Sequence, residues 1–177
     1  MKPIKELQII RDLKVDISSQ SLFRLKRKSD KIDFDVYLKC IGKNLQRGYV
    51  WDIRQKRELI NSIIIGRNIP NLAIFERADE KIFIIDGKQR LSCMFDFLDD
   101  KFTIILEDNE YLFSELPKDY QEHISGFNVM YYYIFEISEN SVSDKMLFDW
   151  FEFINFAGTP QDDEHIKDIK TKFTNLK

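Results

Sequence analysis

The strongest constraint on this fold is a buried strand that runs into a glycine turn and continues as an amphipathic helix, at residues 82–98 (IFIIDGKQRLSCMFDFL). The four apolar residues of IFII are typical of a strand that is buried on both faces. Asp-Gly then marks a turn, and apolar side chains recur at helical spacing at Leu91, Met94, Phe95 and Leu98. A strand, a turn and a helix in this order predict a sheet with this helix packed on one face.

The other predicted elements interleave helices and strands but include hairpins. We expect a helix that starts after Asp52 and ends near Gly66, a hairpin from residues 71–78 and 81–86, and an aromatic strand at 127–137 (FNVMYYYIFEI). This mixture favours an α+β fold, a mixed sheet flanked by helices, over a doubly wound parallel fold. We predict a single domain at 31–177, preceded at 1–30 by an N-terminal helix (5–13) and a basic surface loop.

Composition narrows the possible partners and the compartment. The 27 basic and 30 acidic side chains leave a net charge of -3, so the chain has no general positive field for nucleic acid, and DNA contact requires a local patch. The two cysteines, Cys40 and Cys93, lie far apart in the sequence, which argues for a reducing compartment and against a disulfide framework or zinc site. The sequence shows no signal-peptide core and no run of about 18 apolar residues, so we expect cytoplasmic localisation without a membrane.

The turn at residues 86–90 carries groups that suit an anion. Gly87 allows close approach to the backbone, Lys88 and Arg90 add positive charge, and the first N–H groups of a helix lack internal partners. Asp86 would repel phosphate unless a cation lies between them, which suggests Mg²⁺ or a water held for attack. The alternative is structural: Asp86 caps the helix, while Lys88 and Arg90 face solvent.

Two further segments repeat this kind of chemistry, and each also has an ordinary structural explanation. In NLQRGYVW, Gln46 and Arg47 place an amide and a guanidinium beside Tyr49 and Trp51, which are alternatively core aromatics. In WFEFINFAGTPQ, a helix stop or a site that faces a ligand would explain the residues Asn155, Gly158 and Thr159.

Metal and nuclease chemistry have weaker support. His123 and His165 have no neighbour at metal-ligand or general-base spacing, so we expect both at the surface. An acidic first helical turn explains Asp162, Asp163 and Glu164 without an ion. The sequence contains no Gly-x-Ser-x-Gly, Walker-type lysine loop or HExxH motif.

Taken in order, residues 44–76, 83–98 and 147–161 resemble the N-terminal domain of GmrSD-type modification-dependent restriction endonucleases, a domain related to the ParB/sulfiredoxin fold. The resemblance implies NTP binding and hydrolysis that controls DNA cleavage in restriction and phage defence. It also implies a phosphate site at the matched positions, which are Gln46, Arg47, Asp86, Gly87, Gln89, Arg90, Asn155, Gly158 and Thr159. Lys88 replaces the family's usual first glutamine and adds positive charge.

From this resemblance we expect slow NTP hydrolysis at a composite site. Arg47 and Arg90 would clamp the phosphates, Asp86 would hold Mg²⁺, and Gln89 or Gln46 would orient the attacking water. Tyr49, Trp51 or another aromatic would stack on the base. The alternative is a sensor or interaction protein that does not hydrolyse nucleotide and regulates a partner nuclease. DNA cleavage is not expected from this chain alone, and a partner or a C-terminal nuclease domain would supply it. Arg90→Ala is expected to abolish binding and leave the fold intact.

Overall fold

The structure is a computed structural model that describes residues 15–46, 48–136, 142–157 and 164–175, without the side chains of 155–157 and 165. Its strands are β1 (Val15–Ser21), β2 (Ile32–Asp33), β3 (Tyr37–Leu38), β4 (Lys43–Asn44), β5 (Leu72–Glu76), β6 (Ile82–Asp86), β7 (Ile104–Leu106), β8 (Asn109–Tyr111) and β9 (Asn128–Phe135). Its α-helices are α1 (Leu22–Arg27), α2 (Ile53–Ile64), α3 (Lys88–Leu98), α4 (Lys118–Gly126), α5 (Asp144–Ala157) and α6 (Glu164–Thr174).

The main sheet is mixed and has the strand order β1-β9-β5-β6-β2. Strands β5 and β6 form the predicted hairpin, while β9 runs parallel to β5 and antiparallel to β1. β2 adds a short parallel edge to β6. The two small sheets, β3 with β4 and β7 with β8, are separate hairpins. The prediction of an α+β domain with a mixed sheet is confirmed, and its likeness to the ParB/sulfiredoxin fold stays a prediction.

Helices cover both faces of the sheet because its central strands are apolar on both sides. In β5, Ile74 points into a core that includes residues of α2, α3 and α4, while its neighbours Ala73 and Phe75 point into a second core. The second core contains Phe148 of α5 and Ile169 of α6. The sheet is therefore the middle of three layers.

The passage after residue 14 differs from the expected surface loop. Residues 15–21 form β1, whose register with β9 runs from Val15 opposite Ile134 to Ser21 opposite Asn128. The helix α1 follows, capped by the Ser21 hydroxyl, and it buries Leu22 and Leu25. Polar composition suggested a loop, but pairing with a strand more than a hundred residues away satisfies this backbone. The helix predicted at 5–13 lies outside the described residues.

The helix after Asp52 begins and ends as its sequence indicates. The Asp52 carboxylate accepts from the Gln55 backbone N–H at 2.8 Å, and the Gln55 side chain accepts from the Asp52 N–H at 3.0 Å, which forms a capping box. Beyond the last turn, Gly66 takes a positive φ of 71°. Within the described residues, no helix combines the length and the apolar surface needed to cross a bilayer.

The two thiols should differ in reactivity in the native state. Cys93 is fully buried, and burial raises the pKa of its thiol to about 12. Cys40 is exposed, although partial desolvation and the Asp144 carboxylate raise its thiol pKa as well. We expect a thiol reagent at mildly alkaline pH to modify Cys40 slowly and Cys93 only after unfolding, as peptide mass spectrometry would show. Equal labelling of both cysteines in the native protein would contradict this burial.

Candidate functional site

The site is built around a β-bulge at the end of β6. Ala73 pairs with Asp86 whereas Ile74 pairs with Ile84, so Ile85 is an extra residue on β6. The Gln46 side-chain amide donates to both carbonyls, at 2.6 Å to Ile84 O and 2.5 Å to Ile85 O. Two carbonyl acceptors fix the orientation of this amide, and Gln46 Oε1 is left buried without a partner among the described residues. Gln46 therefore anchors its segment to the bulge.

Gly87 makes the turn from β6 into α3. It is the N-cap residue of α3, with a φ of 94°, and no side chain caps this helix end. The structural alternative in which Asp86 caps the helix is therefore wrong. A Cβ atom at Gly87 would lie 2.2 Å from Leu72 Cδ2, so β5 also requires glycine here.

Arg90 braces the turn. Its Nη2 donates to Asp86 Oδ2 at 2.5 Å, and its Nη1 donates to the carbonyl oxygen of Pro70 at 2.5 Å. The side chains of Arg90 and Asp86 are 14% and 27% exposed, so the pair is largely shielded from solvent. The guanidinium that was expected to clamp phosphate thus ties α3 to β6 and to the segment before β5. Arg90 thus lies beside Asp86, where the sequence suggested Mg²⁺ or a water, and both of those stay predictions.

Gln89 joins the two motif segments. Its Oε1 accepts from the backbone N–H of Val50 at 2.9 Å and of Trp51 at 3.3 Å, and its Nε2 donates to Gly48 O at 2.9 Å. The segment that contains Gln46 is therefore held from both sides, by the bulge and by α3. The structure brings these two predicted segments together, as the sequence implied.

Lys88 forms an ion pair that is more exposed to solvent than the pair of Arg90 with Asp86. Its Nζ lies 2.6 Å from Asp35 Oδ1, and the two side chains are 12% and 66% exposed. A pair with one exposed member contributes little to stability, since water competes for the carboxylate. Lys88 can therefore exchange Asp35 for another anion at low free-energy cost.

The backbone at the start of α3 also offers hydrogen-bond donors. Leu91 N–H donates to Gly87 O at 2.9 Å and closes the first turn. In the described ranges, the N–H groups of Lys88, Gln89 and Arg90 have no acceptor. These donors carry the positive end of the helix dipole, which favours an anion at this position.

The aromatic residues of the second segment belong to the core. Tyr49 and Trp51 are partly buried and pack against the larger core. Burial raises the pKa of the Tyr49 phenol well above its usual value, and Lys56 Nζ lies 4.6 Å from the centre of its ring. Both rings therefore contact the core, and the stacking of either ring on a base stays a prediction.

Several predicted site residues are not placed by the structure. Arg47, Gly158 and Thr159 lie outside the described residues, and Asn155 is described only as backbone in the last turns of α5. The third segment and the contribution of Arg47 to the site therefore stay predictions.

The acidic and histidine side chains give little support to a metal held by the protein. Among the residues that the structure describes, no group of three or more His, Cys, Asp or Glu side chains could hold a metal ion. Glu164 is exposed in the first turn of α6, and His123 is exposed with its Nε2 3.1 Å from Ile63 O. Asp162 and Asp163 lie outside the described residues.

Sequence reasoning missed Asp35, Pro70 and Leu72, which complete the turn. Asp35 pairs with Lys88, Pro70 accepts from Arg90, and Leu72 packs against Gly87. A single sequence carries no signal for such partners, because each lies 15 or more positions from its contact. The only local signal was the proline two residues before β5, which indicates a loop that ends there but not the contact with Arg90.

A family model described as GmrSD restriction endonuclease, N-terminal domain, matches residues 43–169, a range that includes both joined segments. The comparisons with curated proteins and with solved structures gave no match.

Proposed function

This chain belongs to the family of GmrSD restriction endonuclease N-terminal domains, and from that membership we propose that it is a nucleotide-binding control domain of DNA restriction. The observation that carries the proposal is the contact between the two motif segments. The Gln89 side chain is hydrogen-bonded to the backbone of residues 48–51 and holds them beside the N-terminus of α3. Helix N–H groups, Lys88 and the segment around residue 47 would then face one phosphate group.

The charges at the turn determine how a phosphate would bind. Arg90 already neutralises Asp86, so the carboxylate repels an incoming anion less than an unpaired acid would. Lys88 would leave the exposed Asp35 and pair with the phosphate. In this arrangement Lys88 and the α3 backbone contact the nucleotide, while Arg90 maintains the shape of the turn. Arg47, Asn155, Gly158 and Thr159 remain part of the proposed site through the family resemblance.

Magnesium enters this proposal only with the nucleotide. Asp86 is the one carboxylate of the turn, and one of its oxygens is engaged by Arg90. A single carboxylate with one free oxygen is too few ligands for a metal ion that is bound by the protein alone. Mg²⁺ that is already bound to nucleotide phosphates often needs only one or two carboxylates.

A second candidate, a sensor that binds nucleotide without hydrolysing it, is favoured by the two glutamines. Gln46 and Gln89 were expected to orient water, but their amide groups bind backbone atoms, and Gln46 Oε1 is buried. Neither amide is free to position an attacking water in this conformation.

One pair of measurements separates these functions. Calorimetric titration with each of the four ribonucleoside triphosphates, with and without Mg²⁺, would report binding, and phosphate release from the same samples would report hydrolysis. Binding with release supports the control domain with slow turnover, and binding without release supports the sensor. The absence of binding with all four nucleotides would contradict the proposal.

Replacing Lys88 by alanine is expected to weaken nucleotide binding by about tenfold or more, because a charge-assisted contact contributes about 1.5 to 3 kcal/mol. The variant also loses the ion pair of Lys88 with Asp35, which should cost little stability because Asp35 is exposed. Lys81→Ala is the matched control. Lys81 is an exposed lysine that precedes the first residue of β6, at the end of this strand away from the turn. Calorimetry on both variants checks this, and equal affinities would exclude Lys88 from the site.

The isolated chain is not expected to cut DNA. Its two histidines, His123 and His165, lie far apart in sequence, and an HNH-type nuclease site needs histidine as base and metal ligand. Plasmid with and without modified bases, incubated with the chain, NTPs and Mg²⁺ or Mn²⁺, should stay uncut. Nicking that persists through purification and vanishes in Asp86→Asn would overturn this prediction and indicate a nuclease centre at the turn.

A further inference from the structure

The second core covers only part of its face of the sheet. In the described residues, α5 and α6 are the helices of this core, and its strand residues include Ala73 of β5 and Ile85 of β6. In β9, Ile134 is buried in the same core. Met130 and Tyr132 point to the same face as Ile134, because side chains alternate along a strand, but both are exposed. The described helices therefore leave this face open beyond Ile134.

The open part of the face carries a row of apolar side chains. Strand β1 is the edge of the sheet, and its Ile17 lies directly opposite Tyr132, so the two side chains share a face. Ser19 lies opposite Met130 at the next position on this face. Ile17 is 62% exposed, although an apolar sheet face is normally buried against a second layer. Apolar side chains that adjoin on one surface indicate that another element binds there.

Helix α5 presents a further exposed apolar side chain, on the flank that does not contact α6. Phe148 of α5 stacks on Phe173 of α6 with ring centres 5.1 Å apart, and Glu152 of α5 pairs with Lys170 of α6 at 2.5 Å. At 3.6 residues per turn, Phe153 lies about 100 to 140° around α5 from these two contact residues. Phe153 is 51% exposed.

Contacts of α6 show which way the free flank of α5 faces. Lys43 of β4 pairs with Asp168 of α6, and β4 leads directly to Gln46, which is anchored to β6. Helix α6 therefore lies on the β6 side of α5, so the flank with Phe153 faces β9 and β1. The residues that line the space between α5 and β1, which we call the β1 groove, are Ile17, Met130, Tyr132 and Phe153.

We propose that the N-terminal segment of this chain, residues 1–14, covers the β1 groove as an amphipathic helix. The segment lies outside the described residues and ends where β1 begins, at Val15. Val15 is opposite Ile134, where the covered part of the face ends, so the chain enters β1 beside the groove.

The length and the sequence of this segment match the groove. Leu7, Ile10 and Leu13 recur every three residues, so they share one side of the helix predicted at 5–13. Such a helix is about 14 Å long, and the stretch of β9 from Met130 to Ile134 spans about 13 Å. Leu13 would then lie near the start of β1 and Leu7 near Met130.

The attachment to β1 favours this segment over an occupant from solution. A segment that is joined to the end of its own groove has an effective concentration of millimolar order, whereas a second copy of the chain must associate from dilute solution. The inference does not depend on the proposed nucleotide site, and its tests need no ligand.

Paired cysteines test the contact directly. In a Cys40→Ser background, Leu7→Cys with Met130→Cys should form a disulfide within one chain under mild oxidation, detected as a linked peptide by mass spectrometry. Leu7→Cys with Ile65→Cys is the matched control, because Ile65 is exposed at the end of α2, which packs on the opposite face of the sheet. Equal linking in the two pairs, or no link between positions 7 and 130, would overturn the proposal. A link between two chains would assign the groove to a second copy and would overturn it too.

Thermal unfolding provides a second test that does not depend on disulfide geometry. Ile10→Asn and Ile17→Asn should each lower the Tm by about 3 °C or more, because each places an amide in an apolar contact. The shift in the double variant should be smaller than the sum of the two, since both changes disrupt one contact. Ile105→Asn is the matched control, as Ile105 is an exposed isoleucine in the separate hairpin of β7 and β8. A shift for Ile17→Asn no larger than that for Ile105→Asn, or strict additivity, would show that residues 1–14 do not cover the groove.

Discussion

Gly87→Ala should destabilise the protein by about 2 to 5 kcal/mol, the sum of a left-handed backbone penalty of about 1 to 2 kcal/mol and an overpacking penalty of about 1 to 3 kcal/mol. Gly87 has a φ of 94°, and an added Cβ would lie 2.2 Å from Leu72 Cδ2. Leu72 is fully buried, so movement of its Cδ2 away from the new Cβ must displace neighbouring core side chains. Denaturant unfolding would measure the loss in the free energy of unfolding.

Gly66→Ala is the matched control for the backbone term. Gly66 has a φ of 71°, but a Cβ there would meet no atom within 4 Å, so this variant should lose only about 1 to 2 kcal/mol. In a double-mutant cycle, Leu72→Ala should remove part of the cost of Gly87→Ala. Equal losses in the two glycine variants, or strict additivity with Leu72→Ala, would show that the contact with Leu72 is unimportant.

Arg90→Ala should destabilise the protein by about 2 to 4 kcal/mol, because it strands a shielded carboxylate and the carbonyl oxygen of Pro70. This result would replace the sequence-based expectation that the fold stays intact. Arg90 is only 14% exposed and bridges three parts of the turn. Nucleotide binding should fall too, as an indirect effect of losing the shape of the turn. Denaturant unfolding and calorimetry on the same variant would measure both changes.

The partner of Arg90 provides the internal test. The double variant Asp86→Ala with Arg90→Ala should lose less stability than the sum of the single variants, because neither charge is then left unpaired. Arg67→Ala is the matched control, since Arg67 and Glu58 form a pair with both side chains over 60% exposed. It should change the free energy of unfolding by about 0.5 kcal/mol or less. A cost for Arg90→Ala as small as that of Arg67→Ala would contradict the bracing role.

Local patterns were sufficient for the central elements of this fold. The apolar spacing from Leu91 to Leu98 predicted α3, and Asp52 and Gly66 marked the start and end of α2. The hairpin of β5 and β6 followed from two apolar runs around a short turn. These signals succeed because side-chain periodicity and capping depend on residues within about one or two helical turns.

The roles of the polar residues in the motifs depended instead on distant parts of the chain. The sequence placed Gln46, Gln89 and Arg90 at one site, but it could not distinguish groups that contact a ligand from groups that hold the backbone. That distinction rests on the bulge at Ile85, on the loop at 48–51 and on the carbonyl of Pro70. The same limit explains why β1 was predicted as a loop, since its pairing partner is β9. Hydrogen bonds between such segments form only when the chain is folded, so no local pattern of residues encodes them.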